Sequence, residues 1–177
     1  MAIVLLLGGA RSGKSAMAMR LASESGAPVT FIATAEPGDP EMAERIERHR
    51  DDRPDSWKTI EAPMDLLGAL RACDAGDFLV LDCLTLWVSN LLEHGSSPVE
   101  IEAAAEEVVG ALQGRNGVVV ANEVGLGIVP ANELARSFRD VLGTVNTLFA
   151  AAADRSVLMV AGRALDLSST DDVLGPW

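Results

Sequence analysis

Residues 3–15 read Ile-Val-Leu-Leu-Leu-Gly-Gly-Ala-Arg-Ser-Gly-Lys-Ser, an apolar run followed by a glycine-rich segment. Consecutive apolar residues that end at glycines are typical of a strand buried on both faces of a parallel sheet. Residues 8–15 match the pattern G-x-x-x-x-G-K-[ST] in full, and residues 14–25 have the apolar spacing of a helix. A strand, a glycine-rich loop and a helix in this order indicate a phosphate-binding loop.

The glycine-rich loop contains the groups that bind a nucleoside triphosphate. Glycines let backbone N–H groups approach phosphate oxygens closely, and the start of the helix adds partial positive charge. We expect Lys14 to bridge the β- and γ-phosphates and the Ser15 hydroxyl to bind Mg²⁺. A glycine-rich turn that fits the pattern by chance is the alternative interpretation. The predicted phosphate-binding residues are Gly8, Gly9, Ala10, Arg11, Ser12, Gly13, Lys14 and Ser15.

A second apolar run ends at an acidic residue. Residues 78–82 read Phe-Leu-Val-Leu-Asp, so a buried strand would carry the carboxylate of Asp82 to the carboxyl edge of the sheet. Ligands of open α/β sheets bind at that edge. We therefore expect Asp82 to hold Mg²⁺ directly or through water, with capping of the next turn as the alternative.

The rest of the chain alternates apolar runs with helical patterns. We predict further strands over 29–33, 118–121 and 156–161, and helices over 39–50, 99–113 and 132–153. This alternation implies right-handed crossovers and a mainly parallel sheet flanked by helices, the α/β class to which P-loop NTPases belong. We expect one catalytic domain over 1–167 and a loose tail over 168–177.

Composition limits the possible partners and compartments. The 177 residues carry a formal net charge of −12, which argues against a general nucleic-acid binder because such proteins present a basic face. The two cysteines, Cys73 and Cys83, match no zinc pattern and suggest a reducing compartment. No long apolar stretch or basic leader is evident, so we expect a cytoplasmic protein without a membrane span.

A histidine lies at the end of the helix predicted over 39–50. Met42, Arg45, Ile46 and His49 recur at three- and four-residue spacing and would share one face. Arginines follow at positions 50 and 53, where they could bind phosphate. Neutral histidine is a competent nucleophile toward phosphorus. An exposed histidine without a function is the alternative.

A switch GTPase would read guanine with an N-K-x-D segment after a strand. The corresponding place in this chain reads Asn122-Glu123-Val124-Gly125, which lacks the lysine and the aspartate. The sequence therefore argues against a switch GTPase.

Many segments resemble, in order, those of the bifunctional adenosylcobinamide kinase / adenosylcobinamide-phosphate guanylyltransferase family of cobalamin biosynthesis. The NEVGLGIVP string and the segment from Arg45 to Trp57 are much more diagnostic than the phosphate loop. The segments are GGARSGKS at 8–15, IATA at 32–35, Glu41-Met42, Arg45-Ile46, His49, Arg53-Pro54, Trp57, Thr59, Glu61, LVLDCLTLWVSNLL at 79–92, NEVGLGIVP at 122–130, Arg136, Phe138-Arg139-Asp140, Gly143, Asn146 and Ala153-Asp154. Residues 162–167 depart from the family pattern.

The resemblance implies a RecA-like fold, a homotrimer and two activities. One phosphorylates the aminopropanol hydroxyl of adenosylcobinamide with GTP or ATP. The other transfers GMP from GTP to the resulting phosphate through a covalent histidine intermediate, which falls on His49. The implied nucleotide contacts beyond the phosphate loop are Ala33, Thr34, Ala35, Arg50, Asp51, Asp52, Arg53, Glu61, as a guanine or ribose acceptor, and Asp82.

Two other functions remain open on the residues alone. One is a P-loop kinase of another small alcohol, in which His49 is incidental. The other is a non-enzymatic nucleotide-binding regulator, because the phosphate loop and the strand-end acid together establish only a nucleotide site.

Overall fold

A computed structural model describes residues 2–38 and 40–175, which form seven strands and seven helices. The strands are β1 (Ile3–Gly8), β2 (Val29–Ala33), β3 (Lys58–Glu61), β4 (Phe78–Asp82), β5 (Asn116–Val120), β6 (Arg155–Val160) and β7 (Arg163–Leu167). The helices are α1 (Lys14–Glu24), α2 (Pro40–Asp51), α3 (Leu66–Arg71), α4 (Leu84–Glu93), α5 (Pro98–Leu112), α6 (Glu133–Ala152) and α7 (Thr170–Leu174).

All seven strands belong to one sheet with the order β3-β2-β4-β5-β1-β6-β7. The first six strands in chain order pair in parallel, and β7 is an antiparallel edge strand on β6. Because parallel neighbours need helical crossovers, apolar side chains cover both faces of the sheet. One buried cluster joins the sheet to α3, α4, α5 and α6, and a second joins the opposite face to α1.

The predicted α/β class is confirmed, and the predicted strands and long helices lie within two residues of the observed bounds. The structure adds β3 and β7, two edge strands whose side chains are exposed or half-buried and therefore give no apolar run. It also adds α4, which is so apolar around its circumference that periodicity does not separate it from the preceding strand.

The predicted tail contains a short helix. Ser169 accepts a hydrogen bond from the Asp172 N–H and caps α7, whose residues are all exposed. Pro176 and Trp177 of the predicted tail lie outside the described residues, as does Asp39, the first residue of the helix predicted over 39–50. The domain boundary at 167 stays a prediction.

A helix that spans a bilayer needs about 20 mainly apolar residues, and this can be checked for each helix of the chain. Across residues 2–38 and 40–175, none combines the length and the apolar character of a membrane-spanning helix.

Candidate active site

The phosphate loop connects β1 to α1 through left-handed backbone conformations. Gly8 has φ +146°, Gly13 has φ +100° and Arg11 has φ +57°. The ammonium group of Lys14 is buried and donates hydrogen bonds of 2.8 Å to the carbonyls of Gly8 and Gly9. The lysine is thus directed into the loop that precedes it, as phosphate binding requires.

The β6–β7 hairpin supports the loop from one side. The Gly162 N–H donates to the Ser12 carbonyl at 2.9 Å, and the Gly162 Cα lies 3.5 Å from the place that a Cβ on Gly13 would occupy. A Cβ on Gly8 would lie 2.2 Å from the carbonyl oxygen of Met159 on β6. Glycine is therefore required at position 8 for conformation and for space.

We expect Gly8→Ala to lower the free energy of unfolding by about 2–4 kcal/mol, because the new methyl group meets backbone and cannot be relieved by a rotamer change. Urea unfolding measures this loss. Gly9→Ala is the matched control: no heavy atom lies within 4 Å of its Cβ position, so we expect a change within about 0.5 kcal/mol. Equal unfolding midpoints for the two variants would contradict the packing of the loop on β6.

Asp82 ends β4 at the floor of the site. Burial raises the pKa of its carboxyl, while a hydrogen bond from Ser15 and the charges of His49, Arg53 and Lys14 oppose that rise. These interactions place the strand-end carboxylate beside the phosphate loop and within electrostatic range of the histidine. The prediction that β4 delivers an acid to the loop is therefore confirmed in its geometry.

The donors at this point fit Mg²⁺. The Ser15 hydroxyl donates a hydrogen bond to the Asp82 carboxylate. Both are hard oxygen ligands, which Mg²⁺ prefers alongside phosphate oxygens and water. Across the described part of the chain, no cluster of three or more His, Cys, Asp or Glu side chains could hold a metal ion. A metal here would thus depend on the nucleotide for its remaining ligands.

We expect Asp82→Asn to raise the Tm of the nucleotide-free protein in a chelator while lowering phosphorylation by about 10²-fold. Because the folded pKa of Asp82 lies above its ordinary value, the native state keeps this proton at pH values above about 4 where the unfolded state has lost it, so stability falls as the pH rises. The gain in Tm should therefore grow with rising pH. Scanning calorimetry at several pH values measures it, and Asp55→Asn, which removes an exposed carboxylate, is the control for the loss of one charge.

A cavity beside the phosphate loop collects His49 and most of the nucleotide contacts predicted outside that loop. Asp82, which is hydrogen-bonded to Ser15, and Glu61 lie on opposite sides of β2, because Ala33 pairs with both. Met42, Ile46 and His49 present one face of α2 to the cavity. The shared helical face predicted for Met42, Arg45, Ile46 and His49 is confirmed for these three, and the side chain of Arg45 lies outside the described ones. The lining residues are Ser15, Phe31, Ala33, Ala35, Met42, Ile46, His49, Arg50, Arg53, Glu61, Asp82, Cys83 and Leu86.

Two arginines hold the carboxyl end of α2 against the sheet. Arg50 forms an ion pair with Glu61 on β3, with nitrogen and oxygen 3.0 Å apart. The guanidinium carbon of Arg53 lies 3.8 Å from the centroid of the Phe31 ring on β2. Burial lowers the pKa of Arg53, and the charges of Asp82 and Glu61 oppose this. Both cations therefore face the cavity.

Three of the nucleotide contacts predicted outside the phosphate loop do not line this cavity. Thr34 is fully buried; its hydroxyl donates to the Cys83 carbonyl at 2.8 Å and accepts from the Cys83 N–H at 2.7 Å. It joins the ends of β2 and β4, a role that the sequence prediction missed. Asp51 and Asp52 are exposed around the end of α2, because the helix turns its other face to the sheet.

The apolar wall of the cavity was only partly predicted. Phe31 lies two residues before Ala33 on β2, so strand alternation places both on one face and could have identified it. Cys83 and Leu86 come from the turn and the start of α4 and have no such signal. Burial raises the pKa of the Cys83 thiol to about 11, so it stays protonated near neutral pH.

The loop over 122–132 extends from the phosphate loop on its other side. The Glu123 N–H donates to the Gly8 carbonyl at 3.1 Å, and the Asn146 amide donates to the Asn122 carbonyl at 3.0 Å. Its middle exposes Leu126, Ile128 and Val129. The loop is thus anchored at its start and presents apolar side chains at its tip.

Comparison with known proteins decides the family. Residues 4–167 match the family described as cobinamide kinase / cobinamide phosphate guanyltransferase. The chain belongs to this family. Members of it are bifunctional, so the chain is an enzyme of this type and the hypothesis of a non-enzymatic regulator is wrong.

Two members of the guanyltransferase family match over nearly their full length. The chain is 46% identical over 167 residues to the bifunctional adenosylcobalamin biosynthesis protein CobP of Pseudomonas aeruginosa, covering 92% of this chain and 95% of that protein. It is 39% identical over 175 residues to the corresponding CobU protein of Escherichia coli, covering 90% and 96%.

Solved structures of low sequence identity are similar to this chain in fold alone. An ATPase from a type III secretion system has a TM-score of 0.56 at 10% identity, covering 98% of this chain and 60% of that one. The RadB recombinase has a TM-score of 0.51 at 14% identity, covering 89% and 73%. The predicted RecA-like P-loop architecture is therefore confirmed.

Proposed function

We propose that the chain phosphorylates the aminopropanol hydroxyl of adenosylcobinamide with GTP or ATP, and then transfers GMP from GTP to adenosylcobinamide phosphate. The products of the second reaction are adenosylcobinamide-GDP and pyrophosphate. The observation that carries this proposal is one cavity whose wall combines Ser15 and Asp82 with His49. A plain kinase would need the first two residues and not the third.

In the first reaction, the substrate hydroxyl attacks the γ-phosphorus and loses its proton to solvent, while the bond to the oxygen that bridges to the β-phosphorus breaks and GDP or ADP leaves. The amides of the phosphate loop and the Lys14 ammonium hold the β- and γ-phosphates in place. Ser15 and Asp82 would hold Mg²⁺, which, when bound, neutralises charge on the phosphate oxygens.

In the second reaction, a neutral imidazole nitrogen of His49 attacks the α-phosphorus of GTP. A nitrogen–phosphorus bond forms, the bond to the leaving pyrophosphate breaks, and Lys14 with the loop amides stabilises the charge on that group. A phosphate oxygen of adenosylcobinamide phosphate then attacks the guanylyl phosphorus and releases His49. Arg50 and Arg53 supply positive charge close to the histidine.

The far end of the cavity suits the nucleoside. Glu61 is half-exposed at its wall and can accept hydrogen bonds from guanine or ribose, in place of the aspartate of an N-K-x-D segment. Ala33 pairs with both Glu61 and Asp82 and so lies between them, and Ala35 also lines the cavity; these small side chains leave room for the ribose. Thr34, Asp51 and Asp52 would not contact the nucleotide themselves. They would act only as parts of the segments that carry the cavity-lining residues Ala33, Ala35, Arg50 and Arg53.

Incubation with GTP labelled at the α-phosphorus tests the proposal. We expect protein-bound GMP that is labile in acid and stable in base, and that adenosylcobinamide phosphate removes as adenosylcobinamide-GDP. Phosphorylation of a small alcohol without labelled protein under any condition would instead support the plain kinase.

We further propose a cytoplasmic homotrimer. The trimer is supported by Leu126, Ile128 and Val129, which are exposed together, as at a surface that another subunit covers. The cytoplasmic location is supported by both cysteines being free thiols, as in a reducing compartment. Light scattering of the purified protein measures the number of subunits.

A further inference from the structure

We infer that Phe31 is a positioning residue of the nucleotide site, because its ring holds the Arg53 guanidinium over the middle of the bound nucleotide. This inference rests on the nucleotide site proposed above. It assigns a function to an aromatic side chain that the phosphate-loop chemistry does not use.

The register of the sheet gives the location. Ala33 on β2 pairs with Glu61 on one side and with Asp82 on the other. A nucleotide with its base near Glu61 and its phosphates near Asp82 must therefore cross β2. Phe31 lies two residues earlier on the same face and lines the same cavity.

Arg53 stands over this crossing. Its guanidinium carbon lies 3.8 Å from the centre of the Phe31 ring, and the charges of Asp82 and Glu61 both act on it. It therefore lies between the two ends of the cavity, where the α-phosphate and the ribose of a nucleotide would lie. A guanidinium here can donate hydrogen bonds to the α-phosphate that His49 attacks.

The ring is the rigid member of the pair. Phe31 is 3% exposed on a strand with a hydrogen-bonded neighbour on each side, whereas Arg53 follows a helix whose described side chains are only half-buried or exposed. The buried Nε of Arg53 has no hydrogen-bond partner among the described residues. Stacking on the ring is thus the contact that sets the plane of the guanidinium.

A double-mutant cycle in GTP affinity tests the inference. The probe is the α,β-methylene analogue of GTP with Mg²⁺, which cannot transfer GMP, and calorimetric titration gives its Kd. We expect Phe31→Leu to raise the Kd by about tenfold and Phe31→Tyr, which keeps the ring face, by less than about twofold. In an Arg53→Ala background, Phe31→Leu should have no further effect because the partner is gone.

Phe78→Leu is the matched control for loss of a ring from the same sheet. Phe78 packs on the same apolar cluster but does not line the cavity, so its loss should change Tm and leave the Kd unchanged. An equal effect of Phe31→Leu with and without Arg53 would overturn the inference, as would an unchanged Kd in Phe31→Leu. The covalent labelling experiment with GTP tests a different proposal. Absence of labelled wild-type protein would refute GMP transfer through histidine, whereas the double-mutant cycle in Kd would still decide the role of Phe31.

Discussion

Replacement of His49 by alanine should abolish covalent GMP on the protein and lower GMP transfer by about 10³-fold or more, because no other group replaces a covalent nucleophile. Phosphorylation of adenosylcobinamide should stay within about tenfold of the wild type, since the phosphate loop, Ser15 and Asp82 are intact. Filter binding with α-labelled GTP measures the first activity. Transfer of the γ-label to the corrinoid measures the second.

The other histidine of the chain is a matched control. The Nδ1 of His94 lies 2.8 Å from the Asn90 carbonyl at the end of α4, and the residue does not line the cavity. His94→Ala should therefore form the GMP-protein at the wild-type rate. Persistent labelling of His49→Ala, or loss of labelling in His94→Ala, would contradict the assignment of the nucleophile.

Replacement of Lys14 by alanine should lower both activities by about 10²–10³-fold. The ammonium group contacts the loop carbonyls of Gly8 and Gly9, so it lies where the β- and γ-phosphates of either nucleotide would bind. Both reactions need these phosphates held, one to transfer the γ-phosphate and the other to release pyrophosphate. Steady-state kinetics with GTP and ATP measure the two losses in parallel.

Lys58→Ala is the corresponding control. Lys58 is the chain's other lysine; it is exposed on β3 and donates to the Ala72 carbonyl at 3.2 Å. Its removal takes the same charge from the protein without touching the loop, so both activities should be retained. Loss of only one activity in Lys14→Ala would show that the two reactions use different phosphate sites.

Local sequence pattern accounts for the part of the site that lies along single elements. The run before Gly8, the spacing of Lys14 and Ser15 and the acid after an apolar strand follow from rules that act over a few residues. The shared face of Met42, Ile46 and His49 follows from helical periodicity in the same way. These predictions agree with the structure because backbone conformation and side-chain direction are local properties.

The sequence by itself thus determined the phosphate loop, the parallel α/β class and the side of α2 that carries the histidine. Only the tertiary structure decided that β2 lies between β3 and β4, and with it the pairing of Arg50 with Glu61, the burial of Thr34 and the stack of Arg53 on Phe31. Such contacts join residues that are far apart in the chain. They depend on strand order and helix placement, which many apolar patterns satisfy equally well and which packing of the whole core selects.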